Sequence, residues 1–386
     1  MTRHPAGLSC IVTVGKALAK NINQKNRMKK IKKLYQWTTS IPLLACILYF
    51  SGLSDNNLAL QGIAGVLLIF CVMSAVHHSE IIAHRVGEPY GTIILAVSIT
   101  IIEVAIIISL MVNGGEEYAS FARDTVYAAV MLILNGIVGL CLFIGGRKFH
   151  TQTFSPHSVK IALVSLVSIV AFTMILPTFT KSQAGPYYTE SQLLFEFFAC
   201  IAIYTAFIAA QTVRHREYFT SDDNPAPESK EQAVSNRSLF ISLVFLIISL
   251  MIVVLLAKML SKPIEEVIVS QGLPKSLVGI IIAAIILLPE GIAAVSAARN
   301  NRLQTSLNLS LGSALASIGL TIPAVSIASY IYDFPLILGL DILSIILLVI
   351  SIFTVMLSLI GGRSNAVYGV VLLVNLVAYV FLTINP

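Results

Sequence analysis

Long apolar runs separated by short polar breaks recur from one end of the chain to the other. A helix needs roughly 20 apolar residues to cross the hydrocarbon of a bilayer. Eleven runs approach or exceed that length: Ile41–Leu53 (Trp37 onward if its polar approach is included), Leu58–His77, Thr92–Val112, Thr125–Gly145, Ile161–Phe179, Ser191–Val213, Leu239–Met259, Leu277–Ala298, Thr305–Ser326, Leu336–Ile360 and Ala366–Ile384. In lipid every backbone donor and acceptor must be satisfied within the segment, so the pattern predicts helices. The reading is an all-α integral membrane protein of about 11 transmembrane helices.

Composition agrees. Apolar residues make up 56% of the 386, and charged residues only 11%, against roughly 25% in a soluble domain. A chain this apolar cannot cover a globular surface, which excludes a soluble enzyme, a nucleic-acid-binding domain and a disordered protein. The net charge of +6 reflects basic residues at membrane edges, not a nucleic-acid partner. Twenty of the 25 Lys and Arg fall on the side of the N-terminal tail; the five on the opposite side are Arg123, Lys181, Lys258, Lys262 and Lys275. The positive-inside rule then puts the N-terminus in the cytoplasm and the C-terminus outside. The basic tail, residues 1–37, lacks the apolar core of a signal peptide and reads as a topology anchor, with anionic lipid headgroups as its possible contacts. Cys10, Cys46, Cys71, Cys141 and Cys200 read as free thiols. The longest connection, Arg214–Ser238, has 25 residues, no room for an ATPase, and no P-loop occurs.

With the first helix (38–57) set aside, ten helices remain, five on each side of the 214–238 loop. Two units of an odd number of spans enter the membrane from opposite faces. That gives one extra N-terminal helix plus two inverted five-helix repeats, residues 58–213 and 239–386, with a site expected where the repeats meet. Residues support the repeat. The second helix of each unit carries one deep glutamate, Glu103 and Glu290, after a Gly/Pro-containing approach (Gly87-Glu88-Pro89-Tyr90-Gly91 and Gly272-Leu273-Pro274). The third helix of each carries Leu-Asn-x-x-x-Gly, as Leu134, Asn135, Gly139 and Leu307, Asn308, Gly312.

Carboxylates at bilayer depth are costly and mark ion or proton sites. Glu103 and Glu290 lie mid-helix, whereas Glu196 and Asp341 sit about a turn from their predicted helix ends, within reach of water. Pro289 has no N–H, which frees carbonyl oxygens around Ile285 and Ile286 as further ligands. Ser306, Ser310, Ser313, Ser317 and Thr321 share one helical face. Such a stripe serves first for close helix packing, with Ser310 and Ser313 as additional oxygen ligands near Asn308. His77, Glu80 and His84 share a face at the predicted cytoplasmic mouth, a spacing suited to passing protons or binding a metal, and His78 and His84 are the candidate proton path.

At these residues the chain resembles the calcium/cation antiporter superfamily, and within it the ChaA-type bacterial cation/proton antiporters. The resemblance covers nearly everything after the tail. It is carried by Ala83-His84-Arg85-Val86-Gly87-Glu88-Pro89-Tyr90-Gly91, Arg123-Asp124-Thr125, Gly145-Gly146-Arg147-Lys148-Phe149, Pro289-Glu290-Gly291, Asn300-Asn301-Arg302, and Asn308 through Gly312-Ser313. It implies two inverted five-helix units in a bacterial inner membrane, with Glu103 and Glu290 as the cation-binding pair and Asn135 and Asn308 as neighbours. The calcium/proton exchangers place Gly-Asn-Ala/Pro before each glutamate. Here Ile101-Ile102 and Leu288-Pro289 stand instead, so the resemblance does not carry over the calcium selectivity of that branch.

The expected function is secondary exchange of Ca²⁺, Na⁺ or K⁺ for protons, without a bound cofactor. Hard cations prefer oxygen ligands, and two carboxylates can neutralise one Ca²⁺ or hold two protons. The rival from another class is a cation channel or uniporter using the same acids without obligatory proton coupling. An intramembrane enzyme is disfavoured, because neither His-Glu-x-x-His nor Gly-x-Ser-x-Gly is present.

Overall fold

The computed structural model describes residues 37–52, 57–86, 90–183, 185–219 and 236–385. The basic tail, Cys10, the Gly87-Glu88-Pro89 approach and residues 220–235 of the central loop lie outside the described residues. What is described is helical almost throughout. We number the helices α1 (Trp37–Ser51), α2 (Leu58–Val86), α3 (Tyr90–Gly114), α4 (Gly115–Phe149), α5 (Pro156–Phe179), α6 (Glu190–Arg214), α7 (Asn236–Ser270), α8 (Ser276–Arg299), α9 (Leu303–Tyr332), α10 (Ile342–Leu359) and α11 (Ala366–Ile384). Among the described residues, nine helices are long and apolar enough to cross a membrane; α1 and the Ala96–Val112 part of α3 are shorter apolar helices. Large apolar side chains such as Phe50, Val164, Phe198 and Val377 are exposed on the outside of the bundle, as a lipid-facing surface requires. The protein is an integral membrane protein.

Local chemistry sets the helix ends. Pro156 opens α5 in the first turn, where its missing N–H costs nothing. Thr189 and Gln192 form a capping box on α6. Asn365 caps α11 by accepting from Val367 N at 3.0 Å. Cys46, Cys71, Cys141 and Cys200 are free.

Five expectations are corrected. Helix α2 runs nine residues beyond His77, and α7 eleven beyond Met259. The predicted span from Leu336 starts instead at Ile342. Residues 336–341 are not helical, and Gly339 is pressed against the α5 end, where an added Cβ would lie 2.5 Å from Thr178 Oγ1. Their backbone N–H groups go to other segments, Ile337 to Ala119 O (2.9 Å) and Leu340 to Met174 O (3.0 Å). Asp341 is therefore no intramembrane acid. It is the N-cap of α10, accepting from Ser344 N at 3.1 Å. Glu196 is the opposite case: instead of reaching water it is 1% exposed, because α9 lies over it.

Both ends of the bundle are tied across distant parts of the chain. At one end, Gln152 donates to Ala298 O and Asn301 Oδ1, both at 3.0 Å, and Lys148 donates to Arg299 O at 2.8 Å. On the far side, Lys275 bridges Glu117 and Glu265, and Tyr118 donates to Glu265 at 2.6 Å. The hydrogen bonds to these two carboxylates hold the Lys275 ammonium above the usual lysine range. Arg123 pairs with Asp124 at 2.8 Å and donates to Gly339 O at 2.8 Å.

Candidate ion-binding site

Helices α3 and α8 are almost wholly apolar, so a carboxyl midway along either needs polar company from a neighbouring helix. Each finds that neighbour in the other half of the chain. Helix α3 packs on α9, and α8 packs on α4, close enough that a Cβ on Gly279 would lie 3.3 Å from Thr125 N and one on Gly291 3.5 Å from Ile137.

Glu103 is 4% exposed, and Ser317 of α9 donates to its Oε1 at 2.6 Å. That is the short length of a hydroxyl bonded to an ionised or strongly polarised carboxyl. Thr321, one turn further along α9, faces the same carboxyl without closing a hydrogen bond. Glu290 is 9% exposed, and neither of its oxygens has a hydrogen-bond partner among the described residues. Buried polar atoms are rarely left so. Glu103 and Glu80 of α2 both lie within electrostatic range of Glu290. The two glutamates singled out from the sequence therefore share one interior region where the halves of the chain meet.

The other candidates are placed differently. Asn135 is fully buried, but its amide donates to Ser351 of α10 at 2.9 Å and to Met131 O at 3.3 Å. It stands in a π-helical turn, Leu132–Ile137, within α4; such turns are frequent at functional sites. Asn308 donates to Phe219 O at 2.7 Å and accepts from Gln304 at 2.8 Å, which ties the short helix Arg216–Phe219 to α9. Neither asparagine makes a hydrogen bond to Glu103 or Glu290. The glycines of the repeated motif also differ. A Cβ on Gly139 would lie 3.1 Å from Leu372 of α11, whereas one on Gly312 would meet nothing within 4 Å.

Ser310 donates back to Ser306 O at 2.9 Å, and Ser313 is half-buried. Helix α8 stays helical through Pro289, so Ile285 loses its carbonyl partner to the proline without an unwound segment at Ile285 or Ile286. His78 is fully buried, stacked on Phe245 of α7 at 5.7 Å and edge-on to His77 at 5.6 Å. Two residues along a helix are about 200° apart, so His78 faces away from Glu80. Of His84 the structure describes only the backbone, in the last turn of α2. Sequence reasoning did not single out Ser317 from its stripe, and it missed Ser351.

The family described as sodium/calcium exchanger protein matches residues 57–213 and 241–385. Among curated relatives, the y4hA protein of Sinorhizobium fredii is 40% identical over 91% of this chain and 96% of its own length. The sodium-potassium/proton antiporter ChaA of Escherichia coli is 31% identical over 92% of this chain and 98% of its own. Among solved structures, native YfkE superposes with a TM-score of 0.68 at 19% identity, covering 91% of this chain and 99% of that one. This last likeness shows a shared fold. The chain belongs to the sodium/calcium exchanger family. It is a membrane-spanning secondary transporter of the cation antiporter type, not an enzyme.

Proposed function

We propose that the protein exchanges cytoplasmic Na⁺, K⁺ or Ca²⁺ for protons across a bacterial inner membrane, with Glu103 and Glu290 as the shared binding pair. The observation that carries this reading is the state of the pair. Two buried carboxyls lie within electrostatic range across the contact between the halves of the chain, and among the described residues one has both oxygens unpartnered. Such oxygens need a proton or a cation, and either would satisfy them. Ser317 can turn its oxygen from Glu103 toward a bound cation. Competition between cation and proton for the same oxygens is then sufficient for exchange, provided the site opens to one side at a time. The likeness to ChaA, a sodium-potassium/proton antiporter, supports monovalent cations; the family description supports Na⁺ and Ca²⁺.

The alternating opening fits two inverted units, residues 58–213 and 239–386, after α1. The crossing contacts, α3 on α9 and α8 on α4, support that division, since each glutamate-bearing helix lies against the third helix of the other unit. Asn135 and Asn308 then brace the two third helices against α10 and the short helix after α6. Everted vesicles energised to an acidic interior test the function. Adding Na⁺, K⁺ or Ca²⁺ in turn should release protons for at least one cation, and no release with any of them would refute the proposal.

Topology has its own check. Ser221→Cys, in the central loop, should react with an impermeant thiol reagent in inside-out vesicles and stay unlabelled in intact cells. Labelling from outside intact cells would overturn the orientation and the inverted repeat together.

A further inference from the structure

The exchange reading leaves one buried carboxyl unused. Glu196, on α6, is 1% exposed and accepts from Cys200 Sγ at 3.2 Å and from Ser326 Oγ of α9 at 3.4 Å. The groups facing it are neutral. Cys200 comes from its own helix, and Tyr188 of the preceding connection lies within electrostatic range. Helix α9 has no charged residue over Leu303–Tyr332, and α5 has only His157 and Lys160, at its opposite end. No cation among the described residues balances a charge here.

Bond lengths separate this carboxyl from Glu103. An ionised carboxylate draws hydroxyl donors to roughly 2.5–2.7 Å, as Ser317 does on Glu103 at 2.6 Å. A hydroxyl at 3.4 Å and a thiol, a weak donor, are too little for a buried negative charge. The geometry is that of a neutral, protonated carboxyl.

Its place in the bundle gives that proton a consequence. Ser326 and Ser317 are nine residues apart on α9, two and a half turns at about 3.6 residues each, so they point to opposite faces. Helix α9 thus lies between Glu103 on α3 and Glu196 on α6. Glu196 itself is 1% exposed where α6 and α9 meet, so a charge there meets no solvent in this arrangement. Ionising Glu196 therefore requires α6 and α9 to part, and any shift of α9 carries Ser317 with it.

We propose that Glu196 is a second proton-binding carboxyl, whose protonation holds α6 against α9 and so positions the Ser317 hydroxyl on Glu103. It is a positioning residue, not an ion ligand, and its effect on transport rests on the exchange reading above. Two measurements on the full-length protein test it.

The first, independent of transport, is an infrared pH titration of purified wild type and Glu196→Gln. A protonated-carboxyl band that titrates in the wild type and is missing from the variant supports the proposal. A difference spectrum with no such band, or with one that never titrates, overturns it.

The second is the pH dependence of apparent cation affinity in proteoliposomes. Glu196→Gln, which mimics the protonated form, should still exchange but lose one proton-linked step, a flattening of about tenfold per pH unit where that step operates. Ser326→Ala, which removes a hydrogen bond made while α6 and α9 are in contact, should weaken the protonated, packed form and move the same step to lower pH. Profiles that superimpose on the wild type would refute the coupling. Loss of exchange in a correctly inserted Glu196→Gln would refute the positioning role. If the wild type itself fails to exchange, the function proposal falls, while the infrared titration still decides whether Glu196 binds the proton.

Discussion

Glu103→Gln and Glu290→Gln, made separately, should each reduce cation/proton exchange to the level of empty vesicles while the protein inserts normally. Glutamine keeps the size and shape of the side chain and removes one negative charge and one exchangeable proton. At Glu103 the amide still offers an oxygen to Ser317, which donates at 2.6 Å in the wild type, so local packing survives. At Glu290 no hydrogen bond to a neighbour is lost, because neither oxygen makes one among the described residues. A neutral amide also costs less than a carboxylate at bilayer depth, so expression should be equal or better. Loss of exchange with normal insertion isolates the ion site from folding. Wild-type exchange of every cation tested, in either inserted variant, would sink the shared-pair assignment. Asp341→Asn is the control: that carboxyl only caps α10, and its loss should be mild.

The largest effect on stability should come from a residue outside the proposed ion site. Gly369 of α11 lies so close to α4 that an added Cβ would collide with Phe143 N and sit 2.6 Å from Gly139 O. Both are backbone atoms of a buried helix and cannot turn aside, so α4 and α11 must separate. Overpacking of this kind costs roughly 1–3 kcal/mol, and more where the backbone cannot yield. Gly369→Ala should clearly lower the thermal midpoint in detergent, and Gly369→Leu should prevent recovery of folded protein. Gly65→Ala in α2 is the reference, since nothing lies within 4 Å of its Cβ. There alanine's better helix propensity should leave the midpoint unchanged or raise it. Equal midpoints for Gly369→Ala and wild type would show that the α4–α11 contact is looser than described.

The all-helical membrane fold and the burial of the deep glutamates were legible because hydrocarbon imposes one rule on every span. Apolar residues face lipid and protein alike, so the same rule hides which side of a helix meets which partner. Ser317 could not be separated from Ser310 or Ser313 on its stripe; only the approach of α3 distinguishes it. Counting residues from a helix end put Glu196 within reach of water, but depth along the axis says nothing about a helix lying over it. Asp341 was misread for a related reason. Leu336, Leu338 and Leu340 are buried and read as membrane helix, yet they belong to a non-helical segment whose backbone N–H groups bond to other parts of the chain. The paired Leu-Asn-x-x-x-Gly motifs stand in α4 and α9, but their asparagines brace different neighbours, because the surroundings of the two helices are not equivalent.

Obligatory coupling separates an exchanger from a pore lined by the same acids. Purified protein in proteoliposomes, with the membrane potential collapsed and a pH indicator inside, should move protons against an imposed gradient of Na⁺, K⁺ or Ca²⁺. The proton movement should run opposite to the cation and vanish in Glu103→Gln. Cation flux through the wild type with no accompanying proton movement, for every cation carried, would contradict the account.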